Sequence, residues 1–105
     1  MALTRDFKLA VKDRAEQDKD FRKALFIEAL NALLDDELVV AKSLLRDYIN
    51  ATVSFSSLGE IVDKNSKSLH RMFSAKGNPT AKSLFSVIHA IQESEGIKLM
   101  VSEAH

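Results

Sequence analysis

The sequence predicts one all-α domain of five to six helices. Only three Gly and one Pro occur in its 105 residues, and such sparse punctuation favours helices joined by short turns. Apolar side chains recur at three- and four-residue steps through most of the chain, which is the period of an α-helix. The length suffices for one domain with a modest core and is too short for two. We therefore expect residues 1–105 to form a single domain.

Residues 1–52 are expected to form three N-terminal helices. Thr4 can cap the first helix, in which Phe7 lies on the inner face. The charged stretch Asp13–Asp20 should be exposed. The second helix should end at Asp35–Asp36, because carboxylates suit the start of a helix better than its end. The apolar positions of the second helix are Phe21, Leu25, Phe26, Leu30, Leu33 and Leu34, and those of the third are Leu38, Ala41, Leu45, Tyr48 and Ile49.

Residues 54–95 are expected to form two short helices, a polar loop and a longer last helix. Ser54 opens the first short helix, and Asn65 is a suitable N-cap for the second. The loop is Gly77–Thr80, whose last residue can cap the final helix, and Gly96 ends that helix. The predicted inner residues of the three helices are Phe55, Leu58, Ile61 and Val62, then Leu69, Met72 and Phe73, then Leu84, Phe85, Ile88 and Ile91.

The segment after Gly96, Ile-Lys-Leu-Met-Val at residues 97–101, predicts either a short C-terminal strand or an ordered tail. Ile97, Leu99 and Val101 occupy every second position of this segment, which suits a pairing strand. This segment and the last helix are the candidate interface of a homodimer. The alternative is that the tail packs on its own subunit.

Positive charge is concentrated in one third of a chain whose formal net charge is zero. No Asp or Glu occurs from Lys64 to Gln92, whereas residues 1–63 hold 12 acids against 9 bases. Binding of a polyanion requires a local positive field, and the net charge is no guide to that. The window therefore indicates a nucleic-acid-binding surface, against the alternative of an ordinary solvated face. Its bases are Lys64, Lys67, Arg71, Lys76 and Lys82.

Several classes of function receive no support from the sequence. There is no Cys, which excludes disulfides and thiolate metal sites. No apolar run approaches the roughly 18 residues of a membrane span, and the N-terminus has no apolar signal core, so a cytoplasmic protein is the default. No metal-binding His-Glu spacing, phosphate-binding Gly loop or nucleophile motif occurs. We therefore expect no enzyme, no catalytic residue, no metal and no cofactor. His70 is expected to be an exposed polar contact and His89 to be partly buried.

The layout of residues 54–91 is that of a helix-turn-helix. Gly59 lies four residues after Phe55, where two steeply crossing helices need a residue without bulk. In this motif the N-terminal part of the second helix enters the major groove of DNA. Arg can form two hydrogen bonds with guanine, and Lys and Ser can reach base edges or phosphates. The expected DNA-binding residues are Lys64, Asn65, Ser66, Lys67, Ser68, His70, Arg71, Lys76, Asn78 and Lys82.

Three sequence segments carry a resemblance to a known family. They are Ser54-Phe55 with Leu58-Gly59-Glu60-Ile61, then Ser66-Lys67-Ser68-Leu69-His70-Arg71-Met72-Phe73, then Gly77-Asn78-Pro79-Thr80-Ala81 with Leu84-Phe85. Together with Leu44–Thr52 and Thr4–Lys8, they resemble the helix-turn-helix addiction-module antidote proteins of the HigA kind over nearly the whole chain. The resemblance implies a phage-repressor-like DNA-binding domain. It also implies an antitoxin that binds double-stranded operator DNA and neutralises a small toxin of the RelE/ParE superfamily.

One departure from the pattern leaves the function open. Phage-repressor-type motifs favour Gly in the turn followed by an apolar residue, whereas this chain has Asp63 and Lys64. Asp tolerates a left-handed backbone better than most residues, but an acid near DNA phosphates weakens binding. The first hypothesis is a dimeric autorepressor that is also an antitoxin, with toxin contacts in Asp13–Asp20 and Asp35–Glu37. The alternatives are a toxin-neutralising interaction module without DNA binding and a prophage regulator without a toxin.

Overall fold

The computed structural model describes residues 5–104, with side chains from Leu9 onward. The all-α prediction is confirmed, because the described residues form six helices and no strand. None of these helices has the length and apolar character to cross a membrane. The predictions for Thr4 and for the Phe7 side chain lie outside the described residues. The helices are α1 (Arg5–Gln17), α2 (Lys19–Leu34), α3 (Leu38–Ala51), α4 (Ser54–Val62), α5 (Ser66–Met72) and α6 (Ala81–Glu95).

The end of α2 falls where the acids predicted it. Asp36 has a left-handed backbone with φ 61°. The N–H of Glu37 donates to the Ala32 carbonyl at 2.8 Å, and the N–H of Asp36 donates to the Leu33 carbonyl at 3.2 Å. This pair of hydrogen bonds is a Schellman motif, which satisfies carbonyls that a helix end otherwise leaves free. The chain therefore turns sharply before α3 begins.

The hydrophobic core lies between the N-terminal helices and the C-terminal half. Helices α2 and α3 pack along each other, with the rings of Phe26 and Tyr48 stacked at 5.1 Å. On the other side of the core, Phe55 of α4 packs against Phe73, which directly follows α5. Their ring centroids are 6.1 Å apart. The fully buried large side chains are Tyr48, Phe26, Phe73, Leu45, Ile49, Leu58, Leu69, Ile91 and Val87.

Three side chains predicted to face inward are exposed instead. The exposed fractions are 56% for Ile61, 64% for Phe85 and 68% for Leu34. Each helix residue is rotated by about 100° from the one before it, so an apolar residue directly beside the true stripe points away from the core. The stripe of α6, for example, is Leu84, Val87, Ile88 and Ile91, which leaves Phe85 outside it.

The partial burial predicted for His89 is also wrong. His89 lies on the outer face of α6 with 72% of its side chain exposed, where its Nε2 approaches Glu93 Oε1 at 3.7 Å. The core stripe of α6 passes through the preceding residue, Ile88. His89 is therefore a solvent-facing partner of an i,i+4 pair, and such exposed pairs contribute little to stability.

The tail after Gly96 is ordered and packs on its own chain, and no strand forms within the described residues. Gly96 has a left-handed backbone with φ 65°, and the N–H of Ile97 donates to the Gln92 carbonyl at 3.0 Å. The N–H of Leu99 donates to Gln92 Oε1 at 2.8 Å. Ile97 and Leu99 pack against the core, whereas Val101 is exposed.

A buried polar joint connects the N-terminal helices to α6. The Glu95 carboxylate accepts from Arg22 Nε at 2.7 Å and from the Tyr48 hydroxyl at 2.8 Å. Arg22 Nη1 also donates to the carbonyl of Ala15 at 3.2 Å. Burial raises the pKa of the Tyr48 phenol above its usual range, and the adjacent Glu95 carboxylate raises that pKa further. One carboxylate thus holds α2, α3 and α6 together.

Tyr48 should make the protein less stable at alkaline pH. Because its pKa is higher in the folded than in the unfolded chain, the unfolded chain loses its phenolic proton first, near pH 10. The free energy of unfolding should be independent of Tyr48 ionisation below that pH. It should then fall above it by at most about 1.4 kcal/mol per pH unit. Urea denaturation at neutral pH and at about pH 11, which is above the usual pKa of tyrosine, measures this slope.

The matched variant is Tyr48→Phe, in which the alkaline fall should be shallower. Tyr48 is the only tyrosine and the chain has no tryptophan, so near-ultraviolet phenolate absorbance reports this residue alone. That absorbance should appear together with the loss of helical circular dichroism. Ionisation near pH 10 in a chain that is still helical would contradict the buried joint.

Candidate nucleic-acid interface

The turn between α4 and α5 is built on a left-handed aspartate and a glycine without space for a side chain. Asp63 has φ 56° and ψ 47°, as its tolerance of this backbone region predicted. The N–H of Lys64 donates to the Gly59 carbonyl at 2.8 Å. A Cβ at Gly59 would overlap the carbonyl oxygen of Lys64. The small residue predicted at this position is therefore required by the close approach of the turn to α4.

Helix α5 begins at the predicted cap. The Asn65 side chain accepts from the N–H of Ser68 at 2.8 Å, which satisfies one of the free N–H groups of the first turn. Leu69 is buried, and the exposed His70 ring stacks on Phe55 with 4.0 Å between centroids. These contacts fix the rotation of α5, so Lys67 and Arg71 face solvent.

A buried lysine that the sequence analysis missed holds the chain after α5. Lys42 of α3 is only 4% exposed. Its ammonium donates to the carbonyls of Ser74 at 2.9 Å, Ala75 at 3.4 Å and Gly77 at 2.6 Å. One turn further along α3, Arg46 Nη1 donates to the Phe73 carbonyl at 3.3 Å. We call Lys42 and Arg46 with these four carbonyls the carbonyl clamp.

The sequence did contain a signal for the clamp. Lys42 lies between Ala41 and Leu45 on the apolar stripe of α3, where a cation is out of place. A charge at such a position requires a polar partner within the fold. The sequence could indicate that a partner exists, but it could not identify loop carbonyls more than thirty residues away.

The loop after α5 folds tightly against the helix end. The N–H of Gly77 donates to the Ser74 carbonyl at 3.0 Å. A Cβ at Gly77 would overlap the carbonyls of Arg71 and Met72, so only glycine fits this approach. The predicted cap at Thr80 is present, since its hydroxyl accepts from the N–H of Ser83 at 3.1 Å.

The predicted DNA-binding residues lie on the surface around α5. Nine of the ten are exposed, and Ser66 is half-buried. A depression of about 350 Å³ at the start of α5 includes Lys64, Asn65 and Ser66. A second depression, of about 260 Å³, brings the side of α5 together with the loop through Ser68, Arg71, Lys76 and Asn78. Lys67, His70 and Lys82 are outside both depressions.

The charge around α5 is not uniform. Glu60 and Asp63 line the first depression beside Lys64, so two carboxylates border the start of the helix. The second depression has Arg71 and Lys76 and no acid. An anion is therefore favoured along the side of α5 and next to the loop more than at its first turn. Glu60 is an addition to the sequence prediction, which considered only Asp63.

The described part of the chain contains no cluster of three or more His, Asp or Glu side chains that could hold a metal ion. Apart from the carboxylates of Glu60 and Asp63, the polar side chains around α5 are bases, hydroxyls and amides. Such groups form hydrogen bonds and ion pairs with phosphates and base edges. The chemistry that this surface supports is thus binding of an anion or a polar polymer.

No protein-family model, no curated protein and no solved structure matches the chain. The similarity to HigA-like antidote proteins therefore stays a prediction based on the sequence motif.

Removing the clamp ammonium should destabilise the protein. Lys42→Met keeps most of the apolar stem but removes the ammonium donor from the carbonyls of Ser74, Ala75 and Gly77. Of these three carbonyls, that of Ser74 still accepts from the N–H of Gly77. The free energy of unfolding should fall by about 1–3 kcal/mol, and amide exchange should accelerate in residues 73–78. Urea denaturation and hydrogen exchange measure the two effects. Lys23→Met, at an exposed position of α2, is the control and should change both little; an equally stable Lys42→Met would contradict the clamp.

Proposed function

We propose that this chain is a homodimeric, cytoplasmic DNA-binding autorepressor that is also the antitoxin of a type II toxin–antitoxin module. The proposal combines the sequence resemblance with two surfaces of opposite charge. One surface surrounds α5 and comes from a window without acids. The other comes from the acidic N-terminal half.

The observation that carries the DNA-binding proposal is the exposure of the window's bases around one short, rigidly held helix. Lys64, Lys67, Arg71, Lys76 and Lys82 are all exposed, and no Asp or Glu occurs between Lys64 and Gln92. Buried or paired bases would leave no field for a polyanion. Solvated bases that lie in one acid-free window provide a positive field for a polyanion.

Recognition would divide between bases and phosphates. Helix α5 would enter the major groove, with Lys67 and Arg71 close enough to reach base edges. Lys76, Asn78 and Lys82 would lie along the phosphates and set the orientation of the helix. The carbonyl clamp holds α5 and its loop in one arrangement before binding. Less conformational entropy is then lost when DNA is bound.

A second candidate function, toxin neutralisation without DNA binding, is favoured by the acids at the start of α5. Glu60 and Asp63 line the depression where a phosphate would approach the first turn. Two carboxylates there repel an anion and offset Lys64. The two functions predict different affinities of the protein for DNA, so a binding titration with specific duplex DNA distinguishes them.

The toxin-binding proposal rests on acids and apolar side chains at the α2–α3 turn. Asp35, Asp36 and Glu37 are exposed. In the first turn of α3, Val39 is 71% exposed and Val40 is 46% exposed. Toxins of the expected superfamily bind RNA and are basic, so acids would steer the encounter while the valines supply buried contacts.

Lys67→Ala and Arg71→Ala should weaken DNA binding. The probe is duplex DNA from directly upstream of the chain's own reading frame, because an autorepressor binds its own promoter. Arg71→Ala should lose about 1–3 kcal/mol of binding free energy if it contacts a guanine. Binding of the unmodified protein should weaken with salt, with a log–log slope near −0.9 per phosphate contacted. Fluorescence anisotropy measures both quantities.

The control for this titration is Lys23→Ala, an exposed base of α2 outside the window. It should bind DNA as the unmodified protein does. Unchanged affinity in both α5 variants would remove α5 from the interface. Binding that does not respond to salt would contradict the charged surface, and no binding at all would favour the toxin-only function.

Charge reversal in the N-terminal half should slow toxin association. Asp13→Lys, Asp20→Lys and Asp35→Lys are suitable because all three residues are exposed. Asp18 is left intact, since it caps α2 by accepting from the N–H of Phe21 at 3.0 Å. The partner is the product of the short basic reading frame that we expect beside this gene. Surface plasmon resonance should show the triple variant associating at least about ten times more slowly at low salt.

The corresponding Asp→Asn variants are the control and should show a smaller effect. DNA affinity of the triple variant should be nearly unchanged at physiological salt, where charges beyond about 8 Å are screened. Loss of DNA binding with normal toxin association would place the two surfaces the other way round.

A further inference from the structure

An apolar groove runs between α2, α6 and the C-terminal tail. Its volume is about 440 Å³. We call it the α2–α6 groove. No residue of the predicted DNA surface lines it, and neither do the acids of the α2–α3 turn. The side chains that define it are Ile27, Leu30 and Leu34 of α2, Ile88 of α6, and Met100 and Val101 of the tail.

Exposed apolar side chains are clustered at this groove. Leu34 is 68% exposed, Met100 84% and Val101 83%. Phe85 also lines the groove and is largely exposed. Neighbouring exposed apolar side chains of this kind are typical of an interaction surface.

An exposed aromatic ring lies at the edge of the groove. Phe85 of α6 lies at the rim with 64% of its surface exposed. An exposed ring beside an apolar hollow on the same face suits a two-fold axis, because each copy then supplies both the ring and the hollow. A different partner would need only the hollow.

The tail adds an unpaired backbone edge to this face. Half-buried Ile97 and Leu99 alternate with exposed Lys98 and Met100, as in an extended chain. The N–H of Leu99 is used by Gln92. In an extended chain, neighbouring N–H groups point to opposite edges, which would place those of Lys98, Met100 and Ser102 on the edge away from Gln92. Within residues 98–104 the only backbone donor with a partner is Leu99.

We propose that a second copy of this chain covers the groove. Phe85 of each copy enters the α2–α6 groove of the other, and the two tails pair as an antiparallel ribbon whose two-fold axis passes near Met100. This inference rests on the homodimer of the proposed function and is independent of DNA and toxin binding. It identifies the interface and gives the exposed tail edge a partner.

The chain has no cysteine, so disulfide crosslinking can test the axis directly. In an antiparallel ribbon, residues facing each other at the axis have Cα atoms about 4.5–5.5 Å apart, within disulfide range. Met100→Cys should therefore form a covalent dimer under mild oxidation. Leu9→Cys, at an exposed position of α1 outside the groove, is the control and should stay largely uncrosslinked. Equal crosslinking of both variants would show random collision and overturn the ribbon.

A second measurement tests the groove itself. Phe85→Asp and Val101→Asp should each raise the dimer dissociation constant at least about 100-fold in sedimentation equilibrium, with helical circular dichroism retained because both side chains are exposed. Leu9→Asp should leave it unchanged. If the unmodified chain is a monomer, the dimer and this interface both fail. A dimer that persists in both Asp variants overturns the groove alone. DNA affinity is measured separately, so neither outcome is confused with failure of DNA binding.

Discussion

The position of the candidate DNA-binding surface depends on the hydrogen bonds between one buried ammonium and three loop carbonyls. Helix α5 has seven residues, and so short a helix is not stable by itself in water. Asn65 caps one end of it. At the other end Lys42 and Arg46 supply positive charge and donors to carbonyls just beyond the helix, where the helix dipole is negative.

The same ammonium connects the helix to the loop that follows it. Arg71 lies on the helix, while Lys76 and Asn78 belong to the loop, yet all three line one depression. Without a common anchor on α3, the loop would be free to move relative to the helix. The clamp thus joins the two segments into one surface. Its cations, Lys42 and Arg46, belong to α3, which supplies none of the residues of that surface.

Local patterns were sufficient to predict the helices and their ends. The caps at Asn65 and Thr80, the left-handed Asp63 and the close approach at Gly59 each follow from one residue and its immediate neighbours. Nine of the ten predicted DNA-binding residues are exposed, because the helices and loops that carry them lie where the sequence predicted. What failed was the width of the apolar stripes, as Phe85 and Ile61 show.

Contacts between distant segments could not be obtained from one sequence. Lys42 and its carbonyls, or Arg22 and Glu95, are separated by tens of residues, and no local pattern identifies such partners. The exposed Phe85 is a related case. Its apolar character indicated burial, and only the packed helices show that its own chain does not bury it. The function of a surface depends on such tertiary placement, which is why the site was predicted less completely than the helices.

The left-handed aspartates at the two helix ends link folding to charge. Asp36 and Asp63 both have positive φ, a conformation that is strained for residues other than glycine, though less for Asp and Asn. Each of these aspartates is also one of the acids that border a proposed binding surface. A single change to glycine at either position would relieve backbone strain and remove a negative charge at once. At these two positions, therefore, a glycine substitution changes stability and partner recognition together, whereas asparagine keeps the tolerance of left-handed backbone and removes only the charge.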